Sequence, residues 1–370
     1  MIKRNKHLKS IEQPPKLIKS KRREWFEAIL FAVVVSTLIR GLFFSAYAIP
    51  SSSMESTQLT GDYLFVSKLS YGPRMPFTPV AIPFLESKVT EHQFKTYWDG
   101  IRLPYFRLPG LSKIKNGDIV VFNKPDEADL NNTIPIDVRT NLIKRCVAIA
   151  GDQFELVNGV LYINGKRIPD AEKQQTSYEV LLDGSEINPK AFQVMNIEVL
   201  QQIGENKYSM IIPAEYLKTF SQYSNVKYIK PLIKPAGEYD AEIYPHNPKF
   251  KWNQDNFGPL VIPEKGMKIR LNDSTMALYR RAIEVYEEND VDVANGDIKI
   301  NGKSAESYTF KMDYFWMMGD NRHNSLDSRF WGYVPEDHIV GKAMITVLSA
   351  DPNADFINKI RWNRFLKPIH

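Results

Sequence analysis

Cysteine is nearly absent from this 370-residue chain: Cys146 stands alone. No internal disulfide can form, so any part outside the cytoplasm must fold without covalent staples. No Gly-x-Ser-x-Gly segment occurs, which removes the usual nucleophile elbow of serine hydrolases. Ser112-Lys113-Ile114-Lys115 matches S-x-x-K, but the companion S-D-N and K-T-G motifs of penicillin-binding enzymes are missing. Histidine is sparse, at His7, His92, His246, His323, His338 and His370. Only His323 stands beside other promising polar groups, and a lone histidine on such a polar turn reads as solvated. Long apolar runs are absent with one exception, near the N-terminus, and no DNA-binding segment precedes it.

Positive charge is also confined. Nine Lys and Arg residues against Glu12 and Glu24 leave +7 before Trp25, whereas the whole chain is +5, so the remainder is −2. The excess therefore points to membrane topology and not to a nucleic-acid-binding face. From Ala28 to Ile49 the only charge is Arg40, and the length suits a bilayer-spanning helix of about 20 residues. Trp25 and Phe26 stand at its entrance as interfacial aromatics. Arg40 is expected near the far boundary, snorkelling outward. With the basic tail inside, everything after Pro50 is predicted to lie outside the cytoplasm. Ala46-Tyr47-Ala48 also resembles an A-x-A cleavage site, so a removable secretory signal is the competing reading.

Beyond the anchor, Tyr71 to Gly110 is rich in proline and aromatics, and reads either as an excursion on the lipid interface or as a long loop packed on the domain. Strands are announced by Gly61-Asp62 before YLFV, Gly117-Asp118 before IVVF and Gly151-Asp152 before QFEL. Asn158-Gly159, Asn164-Gly165 and Asn301-Gly302 predict tight hairpins. Asp273 to Asn289 carries a cap followed by helical spacing. These signals predict a mainly β protein: a β-sheet core (49–153 and 308–350), an inserted mixed α/β second domain (154–307), a basic tail (1–24), one N-terminal transmembrane helix (25–48) and a basic C-terminal tail (351–370). Ile357, Ile360, Trp362, Phe365 and Leu366 make that last tail a candidate interfacial or packing segment.

The chemistry turns on serine and its base. Ser51, Ser52 and Ser53 follow Pro50 directly after the apolar stretch, so they are held at a membrane surface. A serine hydroxyl needs a base that is neutral at working pH. If 141–149 is a strand, Lys144 shares one face with Leu142, Cys146 and Ala148, company that desolvates an amine and lowers its pKa. A lysine snorkelling from a strand edge is the bland alternative. Cys146 reads as a small core filler.

Four segments occur in one order: PSSSM, GDIVVFNKP at Gly117 to Pro125, IKRCVAIAGD at Ile143 to Asp152, and GDNRHNSLDSRFWGYVP at Gly319 to Pro335. Together they closely resemble the bacterial type I signal peptidases, membrane-anchored Ser-Lys endopeptidases that remove signal peptides from exported preproteins, and the resemblance implies that the β core is a coiled β-sheet catalytic core. The resemblance implies Ser53 as nucleophile and Lys144 as general base, with the Ser53 N–H and the Ser51 hydroxyl as oxyanion hole. It also implies that Ser325 hydrogen-bonds and orients the lysine amine, that Asp327 and Arg329 with Arg145 form supporting ion pairs, and that Ile49, Met54 and Ile143 line shallow substrate pockets. Ser56, Gln58 and His323 depart from the family's usual residues. The expected partners are preprotein signal peptides and the lipid bilayer, with no metal, organic cofactor or nucleic acid. The expected location is the inner (cytoplasmic) membrane, single-pass, with the catalytic domain periplasmic. An inactive, membrane-anchored binding or assembly protein on the same fold is the alternative.

Overall fold

The computed structural model describes residues 20–79, 97–98, 100–127, 134–171, 173–185, 188–294, 296–352, 354–355 and 359–369. Most of the basic tail, the middle of the proline-aromatic excursion, His7, His92, Ile357 and His370 lie outside the described residues.

The first element is α1 (Lys21–Leu42), opened by Ser20, whose side chain accepts from the Arg23 N–H. Its 22 residues rise about 33 Å, enough to cross a hydrocarbon core of about 30 Å. None of its side chains is buried, and Trp25, Phe26, Ile29 and Phe31 are more than half exposed. The helix stops short of the predicted Ala48. Phe44–Ala48 instead forms strand β1, because pairing with a second strand satisfies a backbone that a further helical turn would leave exposed.

Along the chain follow β2 (Asp62–Ser67), β3 (Ile119–Asn123), β4 (Asn141–Ala148), β5 (Gln153–Val157), β6 (Val160–Ile163) and β7 (Lys166–Arg167). Next come β8 (Gln175–Leu182), α2 (Pro189–Val194), β9 (Glu198–Gly204), β10 (Lys207–Pro213), α3 (Ala214–Ser221) and β11 (Val226–Pro231). After these lie β12 (Phe257–Val261), β13 (Lys268–Arg270), α4 (Asp273–Arg281), β14 (Val291–Ala294), β15 (Asp297–Ile300), β16 (Lys303–Ser304) and β17 (Ser307–Thr309). The chain closes with β18 (Tyr314–Met318), α5 (Ser328–Trp331), β19 (Val334–Pro335), β20 (Ile339–Ser349) and β21 (Lys367–Pro368). The protein is mainly β, and its largest sheet is a curled half-barrel. That sheet runs β1-β2-β20-β3-β4-β18-β19 with β21 on β20, all antiparallel.

The Asn-Gly pairs sit where hairpin chemistry requires them. Asn158, Gly159, Asn164, Gly165, Asn301 and Gly302 all have φ between 50° and 77°, as type I′ turns demand. Asn272 and Thr275 form a capping box at the start of α4. β18 is buried on both faces. Tyr314, Trp316 and Met318 enter a cluster with Phe154, Phe257, Tyr279 and Tyr333, while Phe315 and Met317 enter another with Phe122, Cys146 and Trp331. Trp316 is fully buried, with the rings of Phe154, Phe257 and Tyr333 within 5.2–5.6 Å of its own. Residues of 154–163 and 257–298 thus share one core with β18, whereas β8, β10, α2 and α3 enclose a separate apolar cluster. Part of the proline-aromatic excursion packs on the main sheet: Arg74 donates to Asn123 and Arg107 to the Ile339 carbonyl. The C-terminal stretch is docked through β21 and through Arg364, which is buried against Asp62. Trp362, Phe365 and Leu366 remain exposed.

Candidate active site

The connection from β1 to β2 carries the serines. The ladder of the two strands continues through Ile49, whose N–H donates to the Asp62 carbonyl and whose own carbonyl accepts from Gly61. The intervening chain makes one 3-10 turn, Ser52–Met54, which follows Ser51. Met54 is 1% exposed and locks the turn from beneath, while Ser53 stays partly exposed. Placing a hydroxyl beside a buried anchor in a turn closed on both sides by strand pairing restricts where its oxygen can go.

Lys144 occupies the middle of β4, between β3 and β18, opposite Val120. It is 4% exposed. Its Nζ lies 2.7 Å from Ser53 Oγ and donates to the Ile143 carbonyl at 3.1 Å. Burial lowers its pKa from 10.5 to about 8, against the opposing pull of Asp327 and Asp320. The strand-edge snorkel is thereby replaced by a desolvated amine touching a hydroxyl.

The segment after β18 closes the site. A Cβ on Gly319 would overlap the Ser325 hydroxyl and stand 2.5 Å from the Ser53 carbonyl oxygen, so only glycine allows this approach. Asn321 donates its backbone N–H to that carbonyl at 3.1 Å and its side-chain amide to the Ser52 carbonyl, and Asn324 donates to Ser52 Oγ. Asp327 caps α5, accepts from the Gly319 N–H and takes Arg329 through both carboxylate oxygens at 2.9 and 2.8 Å. Burial alone would raise the Asp327 carboxyl, but Arg329 and the Gly319 N–H hold it below its ordinary value.

Two contacts differ from those expected. Arg145 does not join Asp327 and Arg329: it pairs with Asp320 through two bonds of 2.8 and 2.7 Å, because Asp320 leads the loop opposite β4. Asp320 is fully buried and also accepts from Thr57, so the ion pair ties β4 to the turn that carries Ser53. Burial would raise its carboxyl, and Arg145 with Thr57 brings it below the usual range. The signal was present in the sequence as a further Gly-Asp pair, Gly319-Asp320, which follows a strand instead of preceding one. Ser325 stands beside the site, yet its buried hydroxyl makes no hydrogen bond, and the amine's contacts are Ser53 Oγ and the Ile143 carbonyl.

Ile49, Met54 and Ile143 do gather in one apolar cluster. Ile49 and Met54 are 4% and 1% exposed and act as packing under the turn, so Ile143 alone of the three keeps open surface. Ser51 is exposed and makes no capping bond.

His323 is not solvated. Its side chain is 6% exposed, with Nδ1 accepting from the Ser177 N–H and lying 3.0 Å from Thr176 Oγ1, and Nε2 lying 2.8 Å from Asp255 Oδ1. A backbone N–H can only donate, so the ring proton belongs on Nε2, directed at Asp255. Sequence reading missed Gln175, which accompanies it. Its backbone N–H donates to the Asp320 carbonyl, its carbonyl accepts from Arg322, and its Nε2 donates to Ser56 Oγ at 2.6 Å.

Comparison with known proteins places the chain in a family. Residues 22–215 and 261–348 match the family described as signal peptidase, peptidase S26. Signal peptidase I of Aquifex aeolicus (strain VF5) is 26% identical over 321 residues, covering 86% of this chain and 82% of that protein. Signal peptidase I of Buchnera aphidicola subsp. Acyrthosiphon pisum (strain APS) is 27% identical over 359 residues, covering 94% and 84%. That of Rickettsia akari (strain Hartford) is 30% identical over 154 residues, 42% and 47% of the two chains. With the family match spanning most of its length, and a serine hydroxyl in contact with a buried amine inside that match, the chain belongs to the signal peptidases of peptidase family S26 and is a serine peptidase.

Proposed function

We propose that this chain is a membrane-anchored endopeptidase that removes signal peptides from exported preproteins, with Ser53 as nucleophile and Lys144 as general base. The observation that carries the reading is the 2.7 Å contact between Lys144 Nζ and Ser53 Oγ where burial brings the amine to about 8. A neutral amine that gives one N–H to the Ile143 carbonyl can turn its lone pair toward Ser53. As Ser53 Oγ attacks the scissile carbonyl, its proton passes to Lys144. Collapse of the tetrahedral intermediate breaks the C–N bond, and the ammonium returns the proton to the leaving amine. Water then hydrolyses the acyl ester, with Lys144 again taking a proton.

The first N–H groups of a helical turn have no partner inside it, which suits the Ser53 N–H to the developing oxyanion. The exposed Ser51 hydroxyl is the second donor in this reading. Ser325 is proposed to orient the amine during turnover, its buried, unpaired hydroxyl being costly to keep otherwise. Ile143 is proposed to contact substrate above a floor of Ile49 and Met54. The segments 49–153 and 308–350 are read as the catalytic core. α1 is read as a single-pass anchor, with the basic tail cytoplasmic and the catalytic part on the other side.

The test is cleavage of a preprotein carrying an A-x-A site by detergent-solubilised protein. Ser53→Ala and Lys144→Ala are each expected to abolish cleavage while leaving the fold intact; undiminished cleavage by either variant would refute the assignment.

A further inference from the structure

The site's proposed reactive groups come from the β1–β2 turn and from β4, but much of what holds them together comes from elsewhere. Strand β8, which pairs with β10 and β11 in a different sheet, begins at Gln175 beside the loop 320–323. Gln175 grips that loop through two backbone bonds of 2.9 Å, to the Asp320 carbonyl and from the Arg322 N–H. Two residues on, Ser177 donates to His323, whose other nitrogen meets Asp255. Asp255 is 2% exposed, and its second oxygen accepts the Lys234 N–H. The loop is therefore fixed from outside at three positions, 320, 322 and 323, by residues of 175–255.

The same strand end reaches the nucleophile turn. Ser56 has φ +69°, a conformation that a serine adopts only at a cost and a proline cannot adopt at all. Its hydroxyl is held by Gln175 Nε2 at 2.6 Å and by Asn196 Nδ2 at 3.3 Å. Gln175 thus bonds at once to the turn that carries Ser53 and to the loop whose Asn321 and Gly319 abut the Ser53 carbonyl. Asp255 lies in 216–260, outside the two segments matched by the family.

We propose that Gln175 and His323, the latter backed by Asp255, are positioning residues: they form a clasp by which the sheet β11-β8-β10-β9 sets the register between the Ser53 turn and the 319–325 loop. Neither side chain touches the reacting atoms. The inference rests on the reading of Ser53 and Lys144 as the reacting pair. The clasp acts on the serine's placement and not on substrate affinity, so its loss is read in kcat.

The test uses the full-length protein in detergent with a fluorogenic peptide bearing an A-x-A site. His323→Ala and Gln175→Ala are each expected to lower kcat about 10- to 100-fold, the scale of a misplacement near 1 Å, with KM unchanged within about twofold. His323→Asn can present Oδ1 to the Ser177 N–H and is expected to recover several-fold over His323→Ala. Wild-type kcat in both alanine variants, a loss confined to KM, or an asparagine variant no better than alanine would each overturn the clasp. If His323→Ala fails to fold, Gln175→Ala decides alone, since it leaves every backbone bond in place. Residual cleavage by Ser53→Ala run alongside would instead remove the underlying dyad reading.

Discussion

A lysine held near 8 is a scarce base at neutral pH: about one molecule in ten carries the free amine at pH 7. On the proposed mechanism kcat/KM should climb with pH and level off above about 8, and a profile flat from pH 6 to 9 would contradict Lys144 as the base. The same burial has a cost in stability. Folding lowers this pKa, so the folded chain binds fewer protons than the unfolded chain between about 8 and 10.5. The penalty of about 3 kcal/mol is complete below pH 8, shrinks as pH rises, and is gone near 10.5. Lys144→Met should therefore be inactive yet melt above wild type at pH 7, with the gap narrowing at pH 10. Ser325→Ala removes a hydroxyl that has no partner to lose, so its melting temperature should hardly move. If Ser325 orients the amine during turnover, kcat should fall about tenfold with KM steady.

At the scale of elements, the approach of the loop after β18 to the β1–β2 turn is the sensitive contact. Gly319→Ala should drive the Ser53 carbonyl away and lower activity more than about 100-fold, with a stability loss of about 1–3 kcal/mol from overpacking. Asp320→Ala should destabilise by about 3–5 kcal/mol, since it strips a mostly buried Arg145 of its carboxylate. Thermal melts and peptide cleavage on the two variants check both. Much of this level was legible in sequence. Gly61-Asp62 before YLFV announced β2, the Asn-Gly pairs announced the hairpins, and Lys144 among Leu142, Cys146 and Ala148 pointed to a buried amine, because local period and turn chemistry decide these features. What was not legible depends on the meeting of distant segments. Arg145 chose Asp320 over Asp327, and His323 became a bridge, only because β18 and β8 arrive at the same loop. Nothing in the local pattern of either histidine or arginine names a partner 68 or 175 positions away.

For the molecule as a whole, the position of Ala46-Tyr47-Ala48 matters. These residues form the end of β1, in register with Phe65, Leu64 and Tyr63 of β2. Cutting after Ala48 would require unpairing the strand that leads into the serine turn. The mature protein is accordingly expected to keep residues 1–48, checked by intact mass and N-terminal sequencing, and to stay in the membrane pellet through an alkaline carbonate wash.

Only Phe43 separates α1 from β1, and the joint is pinned: Lys68 donates its backbone N–H to the Phe43 carbonyl and its Nζ to the Gly41 carbonyl, while Ser45 Oγ donates to the Arg40 carbonyl. With no slack at that hinge, a helix leaning in lipid would swing the peptidase head with it. On the proposed topology bilayer thickness then becomes a mechanical input, tilting the cutting edge toward or away from preproteins emerging beside it.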